Sequence, residues 1–416
     1  MGKVYITGLG AISPIGLSAA ESFEAAVNGV LGIAKPTGFD SELTGIYAAG
    51  EVKEFSPEPL ISRREAKRMA RFTQFALAAA NEAYTQSISS GTGGFNSDEA
   101  GVALGCGIGG LEIISEQVEA LISEGPRAVS SLFIPKAIIN SACGLIAIRF
   151  SFHGPCFALV TACSSGTDAI GHAYNAVAEG RAEAMLAGGS EAVVSTLAVQ
   201  GFHQMGALSE NTAPERASIP FDKARQGFVI AEGAAFLMLE SESSVKRRGA
   251  KPLGELCGYA QTCDAFHVTA PEPLGREARR AMELAIKCAN IEKEQVGYIN
   301  AHGTSTPLND VCESAAIEAC FKEHAKNLKV SSTKSMTGHM LGAAGAFEAV
   351  LTLLALNEGL APPTIGLMDE DEGCTLNYVK GKAQQLQCEY ALSNSFGFGG
   401  HNSCLVLKRG EENAFA

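Results

Sequence analysis

The chain contains 416 residues, 46% of them hydrophobic and 19% charged, so it can bury a large core and is not an intrinsically disordered protein. Its formal net charge of −13 argues against binding to nucleic acid or to an anionic membrane, except through a local basic patch. No apolar run is long enough to span a membrane, the N-terminus lacks a signal-peptide pattern, and the 12 cysteines include no CxxC pair, so we expect a cytoplasmic protein with free thiols.

Strand-like segments alternate with helical segments in the first half of the chain. Apolar runs that end in glycine predict strands in KVYITGLGAIS, GVALGCGIGG, CFALVTAC and EAMLAGGSEAVV. Helical periodicity covers residues 64–84 and 165–179. This alternation predicts an α/β fold, with a largely parallel sheet and helices on both of its faces.

A second series of the same kind follows a charged link near residues 245–253. Its predicted helices lie at 275–289, 309–320 and 343–357, and they again alternate with predicted strands. Each series closes on a strand that runs into a glycine-rich turn. We therefore predict two duplicated halves, residues 1–250 and residues 251–416.

Cys163 directly follows the predicted strand CFALVTA and precedes a helix that opens with the small residues SSGTDAIGHA. A thiol at such a turn lies near unpaired backbone N–H groups and the positive end of the helix dipole, which stabilise an anion. These surroundings can lower a thiol pKa, and a drop of ~1.5 units corresponds to roughly 2 kcal/mol in favour of the thiolate. From this segment alone, a nucleophile and a buried core cysteine are equally well supported.

Two of the eight histidines favour the nucleophile. His302 follows the predicted strand VGYINA, and His339 follows the predicted strand LKVSS and precedes a helix. Open α/β sheets bind their ligands in the turns at the carboxyl ends of the strands. Because both histidines lie in such turns among glycine, serine and threonine, we expect them to join Cys163 in an active site.

Lys334 and Glu348 lie on either side of His339 in the sequence. Glu348 interrupts the otherwise apolar helix GAAGAFEAVLTLLAL, where a carboxylate is costly to bury unless it is paired. Lys334 is the natural partner. The pair either shapes the site or takes part in its chemistry.

Four motifs together resemble the β-ketoacyl-acyl-carrier-protein synthases, in particular their elongating synthase II group. They are VTACSSGTDAIGHA, INAHGTSTPLND, VSSTKSMTGHMLGAAGAFE and NSFGFGGHNSCLVL, in the order and spacing of the family, and the similarity runs from VYITGLGAISPIG to LVLKR. The resemblance implies a thiolase-like duplicated fold, an αβαβα five-layered sandwich that works as a homodimer. It also implies decarboxylative Claisen condensation without a metal or organic cofactor. In that reaction malonyl-loaded acyl carrier protein extends a cysteine-bound acyl chain by two carbons in fatty acid biosynthesis.

The resemblance also implies roles for individual residues. Cys163 takes the acyl group from the acyl-loaded carrier protein, His302 and His339 complete the catalytic triad, and Lys334 and Glu348 support it. The other implied residues surround the substrate: Phe398 as a gate whose backbone N–H joins that of Cys163 in an oxyanion hole, Thr304 and Thr306 on the pantetheine arm, and Ile108, Phe133, Ile134, Phe202 and Thr269 in the substrate pocket.

A group of basic residues in ISRREAKRMARF fits the same interpretation. Arg64, Lys67, Arg68 and Arg71 fall at helical spacings of three, four and seven, which predicts a basic stripe along one helix. In a chain with a net charge of −13, this stripe is either the docking site for an acidic carrier protein or a solvated helix face. No contact with nucleic acid or membrane is expected.

Three alternatives remain open. The segment SSGTD is closer to polyketide-type ketosynthases, and Gly206 stands where fatty-acid relatives often carry a basic residue, so one alternative is a type II polyketide or aryl-polyene ketosynthase. A second is a non-catalytic chain-length partner subunit, although such subunits lose the cysteine that is kept here. A third is a Cys-His hydrolase, for which no Asn or Asp that would orient a catalytic histidine is apparent.

Overall fold

The computed structural model describes residues 2–410 of the chain. The strands are β1 (Val4–Ile12), β2 (Ala100–Gly105), β3 (Cys156–Leu159), β4 (Ala184–Glu191), β5 (Gly233–Ser241), β6 (Gly254–Cys263), β7 (Val296–Asn300), β8 (Lys329–Ser331), β9 (Leu360–Ala361), β10 (Gln384–Gln385), β11 (Tyr390–Gly397) and β12 (His401–Arg409). The helices of the first half are α1 (Ala19–Val27), α2 (Ser41–Thr44), α3 (Arg63–Ala66), α4 (Arg71–Ser89), α5 (Leu111–Glu124), α6 (Phe133–Ala137), α7 (Asn140–Phe150), α8 (Ser165–Ala178), α9 (Thr196–Gln204) and α10 (Glu242–Arg248). Those of the second half are α11 (Arg276–Ala289), α12 (Pro307–Phe321), α13 (Lys334–Thr337) and α14 (Ala344–Glu358).

Ten strands form one mixed sheet, in the order β3-β2-β4-β5-β1-β6-β12-β11-β7-β8. Each half of the chain supplies five strands, and the second half repeats the first in reverse across the β1–β6 junction. In each half, the two outer pairings are parallel and the two inner pairings are antiparallel. The duplicated α/β fold is thereby confirmed. The prediction of a largely parallel sheet is wrong, because β5 and β12 run against both of their neighbours.

Helices α8 and α14 form a layer between the two five-stranded halves of the sheet, which stay joined at the β1–β6 pairing. Both contact strands of the first half, such as β4, and strands of the second half, such as β12. The outer layers are α4 and α7 on the first half and α11 and α12 on the second half. The layers therefore follow the predicted order of an αβαβα sandwich.

The composition of α14 explains its central position. Every residue of this helix from Ala344 to Leu353 is buried, and a helix that is apolar on all sides is stable only inside a protein or a membrane. The stretch Leu341–Glu358 is long and apolar enough to cross a membrane, but 83% of it is buried within the protein. It is therefore a core helix of this fold.

The helix predicted at 64–84 is broken into α3 and α4. Ser62 and Glu65 form a capping box that starts α3, and this helix ends after a single turn, with Lys67 as its C-cap. The backbone is extended at Ala70, whose side chain is buried, so α4 begins anew at the next residue. The burial of Ala70 between the two helices depends on tertiary contacts, which the local periodicity of the sequence does not reveal.

This break also separates the basic residues that were predicted to share one helix face. The Arg71 guanidinium binds the Glu232 carboxylate through two contacts, Nε to Oε2 at 2.9 Å and Nη2 to Oε1 at 2.7 Å. Arg64, Lys67 and Arg68 remain exposed. The predicted stripe is therefore wrong as a feature of one helix, and the Arg71 side chain, which is 38% exposed, forms an ion pair with Glu232 of the same chain.

Candidate active site

Cys163 lies in a tight turn between β3 and α8. A single turn of 3-10 helix covers Ala162–Ser164, and α8 begins at Ser165. Ala162 has a φ of +52°, a left-handed conformation that is costly for a residue other than glycine. Such strain persists only where surrounding contacts hold the turn in place. The structure thus has the predicted order of strand, cysteine and helix, and the Cys163 side chain is buried.

His302 and His339 approach Cys163 from the second half of the chain. His302 follows β7, and His339 lies between α13 and the 3-10 turn Leu341–Ala343. The Cys163 sulfur and the nearest ring nitrogens of the two histidines all lie within 4.8 Å of one another. The two imidazole rings meet edge to face, with 5.3 Å between their centroids. One thiol and two imidazoles could also hold a soft metal ion, but they form equally well a nucleophile beside two N–H donors.

A cavity of about 380 Å³ opens beside these three side chains. Its volume is in the range of pockets that bind small molecules. The predicted residues that line it are Phe202, Thr269, Thr304, Thr306 and Phe398. Phe228, Leu341 and Phe396 add apolar walls next to the histidines. The cavity therefore joins a reactive thiol to a largely apolar channel.

Three residues that were predicted for the pocket wall do not line this cavity. Ile108 is partly buried against the apolar cluster that contains Cys163. Phe133 packs against the core of the first half, and Ile134 is 57% exposed. Phe133 and Ile134 do not reach the cavity because they belong to α6, which packs against α5 and α7 and not beside the cavity of the same chain.

Lys334 and Glu348 form a buried ion pair next to His302. The Lys334 ammonium also donates to the backbone oxygen of His302 at 2.6 Å and lies 3.4 Å from His302 Nδ1. An ammonium group can only donate, so Nδ1 is the acceptor and the His302 ring hydrogen resides on Nε2. The ion pair thus sets the tautomer of one histidine.

Both histidines are neutral near pH 7. Burial lowers the pKa of His302 and of His339 well below the ordinary value, and the nearby positive charge of Lys334 lowers both pKa values further. A neutral imidazole keeps one N–H donor and one lone pair. The two rings can therefore donate hydrogen bonds without bringing a positive charge into the cavity.

Burial raises the pKa of the Cys163 thiol to about 11, against 9.0 for an ordinary cysteine. The charge of Lys334 and a hydrogen bond from the Phe398 backbone act in the opposite direction but are weaker than the cost of desolvation. A thiol at the N-terminus of a helix was expected to have a lowered pKa, whereas burial raises the pKa of Cys163 in the folded protein. The resting side chain is a thiol, and its proton must leave when the sulfur reacts.

The raised pKa gives an expected pH dependence of alkylation. Below a pKa of about 11, the thiolate fraction of Cys163 rises about tenfold for each pH unit. The rate of Cys163 alkylation by iodoacetamide should therefore increase steadily from pH 7 to pH 10, as followed by mass spectrometry of the Cys163 peptide. A rate that levels off below pH 8 would contradict the thiol ground state.

Two buried carboxylates that the sequence analysis did not identify hold the backbone around the site. Glu313 accepts hydrogen bonds from the backbone N–H groups of His302 and Gly303, both at 2.8 Å, and burial raises its pKa to about 7. Glu191 accepts from the backbone of Gly107 at 2.6 Å and of Gly109 at 3.0 Å. Glu191 could have been identified from the sequence, because it interrupts the apolar strand EAMLAGGSEAVV. Glu313 could not, because in the sequence it looks like a surface residue of α12.

Two protein-family models match the chain. They are Beta-ketoacyl synthase, N-terminal domain, over residues 1–244, and Beta-ketoacyl synthase, C-terminal domain, over residues 253–368. The chain is also 47% identical over 408 residues to 3-oxoacyl-[acyl-carrier-protein] synthase 2 of Synechocystis sp., with 98% of each chain covered. Sequence similarity thus extends over nearly the whole length.

Solved structures show the same similarity. A beta-ketoacyl synthase from Burkholderia phymatum STM815 matches with a TM-score of 0.91 and 32% identity, covering 99% of this chain and 100% of that chain. A structure of a type II PKS acyl-carrier protein in complex with its ketosynthase matches with a TM-score of 0.89 and 33% identity, covering 98% and 99% of the two chains. With both family models and a near full-length relative in agreement, the chain belongs to the beta-ketoacyl synthase family.

Proposed function

We propose that this chain is a 3-oxoacyl-[acyl-carrier-protein] synthase 2, an acyltransferase that elongates fatty acids by decarboxylative condensation. The observation that carries the proposal is the meeting of one thiol and two neutral histidines at an apolar cavity. The identity of 47% to a relative of that name favours fatty acid elongation over a polyketide pathway, since the type II PKS match is 33% identical. Retention of Cys163 argues against a non-catalytic partner subunit.

In the first step, the acyl group moves from the carrier protein to Cys163. The sulfur loses its proton and attacks the carbonyl carbon of the acyl thioester, the bond to the carrier sulfur breaks, and the released carrier thiolate takes up a proton. The tetrahedral intermediate places a negative charge on the former carbonyl oxygen. The backbone N–H groups of Cys163 and Phe398 are the proposed donors to that oxygen, and such preorganised donors typically contribute about 3–4 kcal/mol each.

In the second step, malonyl-loaded carrier protein loses CO2. The bond to the carboxylate carbon breaks, and its electron pair forms an enolate whose charge lies on the thioester oxygen. His302 donates from Nε2, as its contact with Lys334 requires, and His339 has no hydrogen-bond partner for either ring nitrogen among residues 2–410. Two unpaired N–H donors in a buried site suit an enolate oxygen.

In the third step, the enolate carbon attacks the carbonyl carbon of acyl-Cys163. A carbon–carbon bond forms, the carbon–sulfur bond to Cys163 breaks, and the thiolate regains a proton. The product is a 3-oxoacyl thioester two carbons longer than the starting chain. Thr304 and Thr306 line the cavity and share a hydrogen bond of 2.9 Å, so their hydroxyls are suitable contacts for the carrier's pantetheine arm.

A panel of acyl chains tests this function. The purified protein, given malonyl-loaded and acyl-loaded carrier proteins of increasing chain length, should release CO2 and form products two carbons longer from saturated linear chains. Absence of condensation with every chain would contradict the proposal. Repeated extension to a polyketone or polyene would instead identify the polyketide or aryl-polyene alternative.

The partner is proposed to be an acyl carrier protein that docks on Arg64, Lys67 and Arg68. Reversal of these three charges to glutamate should raise KM for the carrier protein roughly tenfold and leave kcat nearly unchanged, because exposed charges act mainly on association. Steady-state kinetics measure both constants. Arg181→Glu is the matched control, since Arg181 is also exposed and pairs with Glu179 on the surface. Equal effects of both changes would contradict docking at this site.

We further propose a homodimer in which β3 of one chain lies against β3 of the other. β3 is at the edge of the sheet, and the apolar side chains around it are exposed: 57% for Ile134, 76% for Ile148 and 56% for Val160. An unpaired edge strand beside an apolar surface is typical of a subunit interface. This arrangement would also bring α6, with Phe133 and Ile134, toward the site of the second subunit.

The dimer predicts a change of mass in solution. Ile134→Lys combined with Ile148→Lys should reduce the mass measured by light scattering from two chains to one, because each change buries an unpaired charge in the interface. Leu43→Lys is the control, since Leu43 is 70% exposed on α2. A parent protein that is monomeric at high concentration would disprove the dimer.

A cytoplasmic location is part of the same proposal. All twelve cysteines are free, and some of them, including Cys263 and Cys288, are exposed thiols that an oxidising compartment would not keep reduced. The net charge of −13 offers no basis for binding to nucleic acid or to an anionic membrane. Cell fractionation with an antibody to the chain checks this placement.

A further inference from the structure

Asp168 is a buried carboxylate at the start of α8, five residues after Cys163, and the mechanism above does not use it. It is fully buried and accepts hydrogen bonds from five side chains. The donors are the hydroxyls of Thr161, Ser164, Tyr259 and Ser403 and the amide of Gln261. A neutral amide of the same shape carries a donor in place of one accepting oxygen, so it cannot satisfy all of them.

One side of this network holds the turn that carries the nucleophile. Thr161 donates to Asp168 Oδ2, and the Ser164 hydroxyl lies 3.3 Å from the same oxygen while it binds the Thr161 carbonyl at 2.8 Å. These two residues flank Ala162, with its positive φ, and Cys163. A strained turn needs contacts of this kind to persist.

The other side of the network lies in the second half of the chain. Tyr259 and Gln261 belong to β6 and bind Asp168 at 2.8 and 3.0 Å, and Ser403 belongs to β12. The ring of Tyr259 packs so closely on Gly171 of α8 that a Cβ there would lie 2.2 Å from it. Asp168 therefore connects the turn of Cys163 directly to the sheet of the half that carries His302 and His339.

We propose that Asp168 is a positioning residue that fixes Cys163 relative to His302 and His339 by joining the nucleophile turn to strands β6 and β12. It acts through Thr161 and the backbone of the turn and does not touch the substrate. The inference rests on the proposed function, in which Cys163 alone receives the acyl group. Loss of the network then impairs acyl transfer to Cys163 but not the decarboxylation carried by the two histidines.

The test compares these two half-reactions in Asp168→Asn. The amide replaces one accepting oxygen by a donor, so part of the network is lost while the shape is kept. Single-turnover acylation of Cys163 by acyl-loaded carrier protein, followed by intact mass, should be about 10- to 100-fold slower, the scale of a displacement of about 1 Å at a reacting group. Malonyl decarboxylation is measured in the Cys163→Gln variant, with and without Asp168→Asn. Its rate should differ by less than about threefold between the two, since the contacts that hold His302 and His339 do not involve Asp168.

A milder variant decides the question if Asp168→Asn does not fold. Tyr259→Phe removes one donor and should slow acylation about two- to tenfold, as expected for the loss of one hydrogen bond. Tyr378→Phe is the control, because its hydroxyl binds Ser314 outside the network. Equal losses in both half-reactions, no loss in either, or equal effects of the two tyrosine variants would overturn the proposal. A parent protein that performs neither half-reaction would instead disprove the proposed function.

Discussion

Replacement of Cys163 by alanine is expected to abolish formation of the acyl-enzyme and to reduce condensation by a factor on the order of 10⁴ or more, the scale seen when a covalent nucleophile is removed. The thiol is the only one that lies within 4.8 Å of both histidines in the described part of the chain. Intact mass after incubation with acyl-loaded carrier protein measures the adduct. A full-occupancy adduct on Cys163→Ala would show that another residue is the nucleophile.

Cys163→Gln separates this role from that of the histidines. The amide fills the place of the acylated side chain, so acyl transfer is lost while His302 and His339 keep their positions. Malonyl decarboxylation should therefore continue in this variant. If decarboxylation is lost together with acyl transfer, the division of labour proposed above is wrong. Cys374→Ala serves as a control, because this buried cysteine packs in the core cluster of the second half.

Lys334→Ala is expected to cause the largest loss of stability, about 3–5 kcal/mol in the free energy of unfolding, because it leaves the Glu348 carboxylate buried without its partner. Both side chains are 2% exposed. Burial raises the pKa of Glu348 to about 7 even with Lys334 present, which shows how costly an isolated charge is at this position. Denaturant unfolding near pH 8 measures the difference. At that pH the Glu348 carboxyl group of the folded variant must either carry a buried charge or bind a proton, and both cost free energy.

Two further variants separate the stability of this pair from its function. Lys326→Ala breaks an exposed pair with Glu323 and should cost less than about 1 kcal/mol. The double change Lys334→Met with Glu348→Leu removes both charges and should recover most of the lost stability, because a matched apolar pair is often as stable as a buried ion pair. It should not recover activity, since His302 loses the ammonium that sets its tautomer. Full activity in the double variant would show that the pair is only structural.

The reactive side chains were predictable because each follows a local pattern. Cys163 and His302 lie a few residues after the ends of β3 and β7, and His339 follows β8 with only the short helix α13 in between. Carboxyl ends of strands in an α/β fold gather at common edges, so the order of strands and helices was enough to bring these three residues together in the prediction. The glycine-rich motifs that carry the family resemblance are local in the same sense.

The electrostatic and supporting parts of the site were not predictable in this way. The rise of the Cys163 pKa depends on how completely the folded protein excludes water from the thiol. Arg71 looked like one residue of a basic stripe, but Glu232, which holds it, is distant in the sequence. Asp168 lies within the segment SSGTD that resembled polyketide enzymes, and three of its five donors come from the second half of the chain.

By itself, the sequence predicted most of the longer strands other than β5, the long helices α4, α8, α11, α12 and α14, the duplicated α/β architecture and the thiol and histidines of the site, because these features depend on composition, periodicity and motifs over short stretches. Only the tertiary structure decided which charged residues are free to meet a partner, the direction of the thiol pKa shift and which buried carboxylates hold the site together. Burial and pairing depend on contacts between the two halves of the sandwich, and no local pattern in either half records which side chains will meet across it.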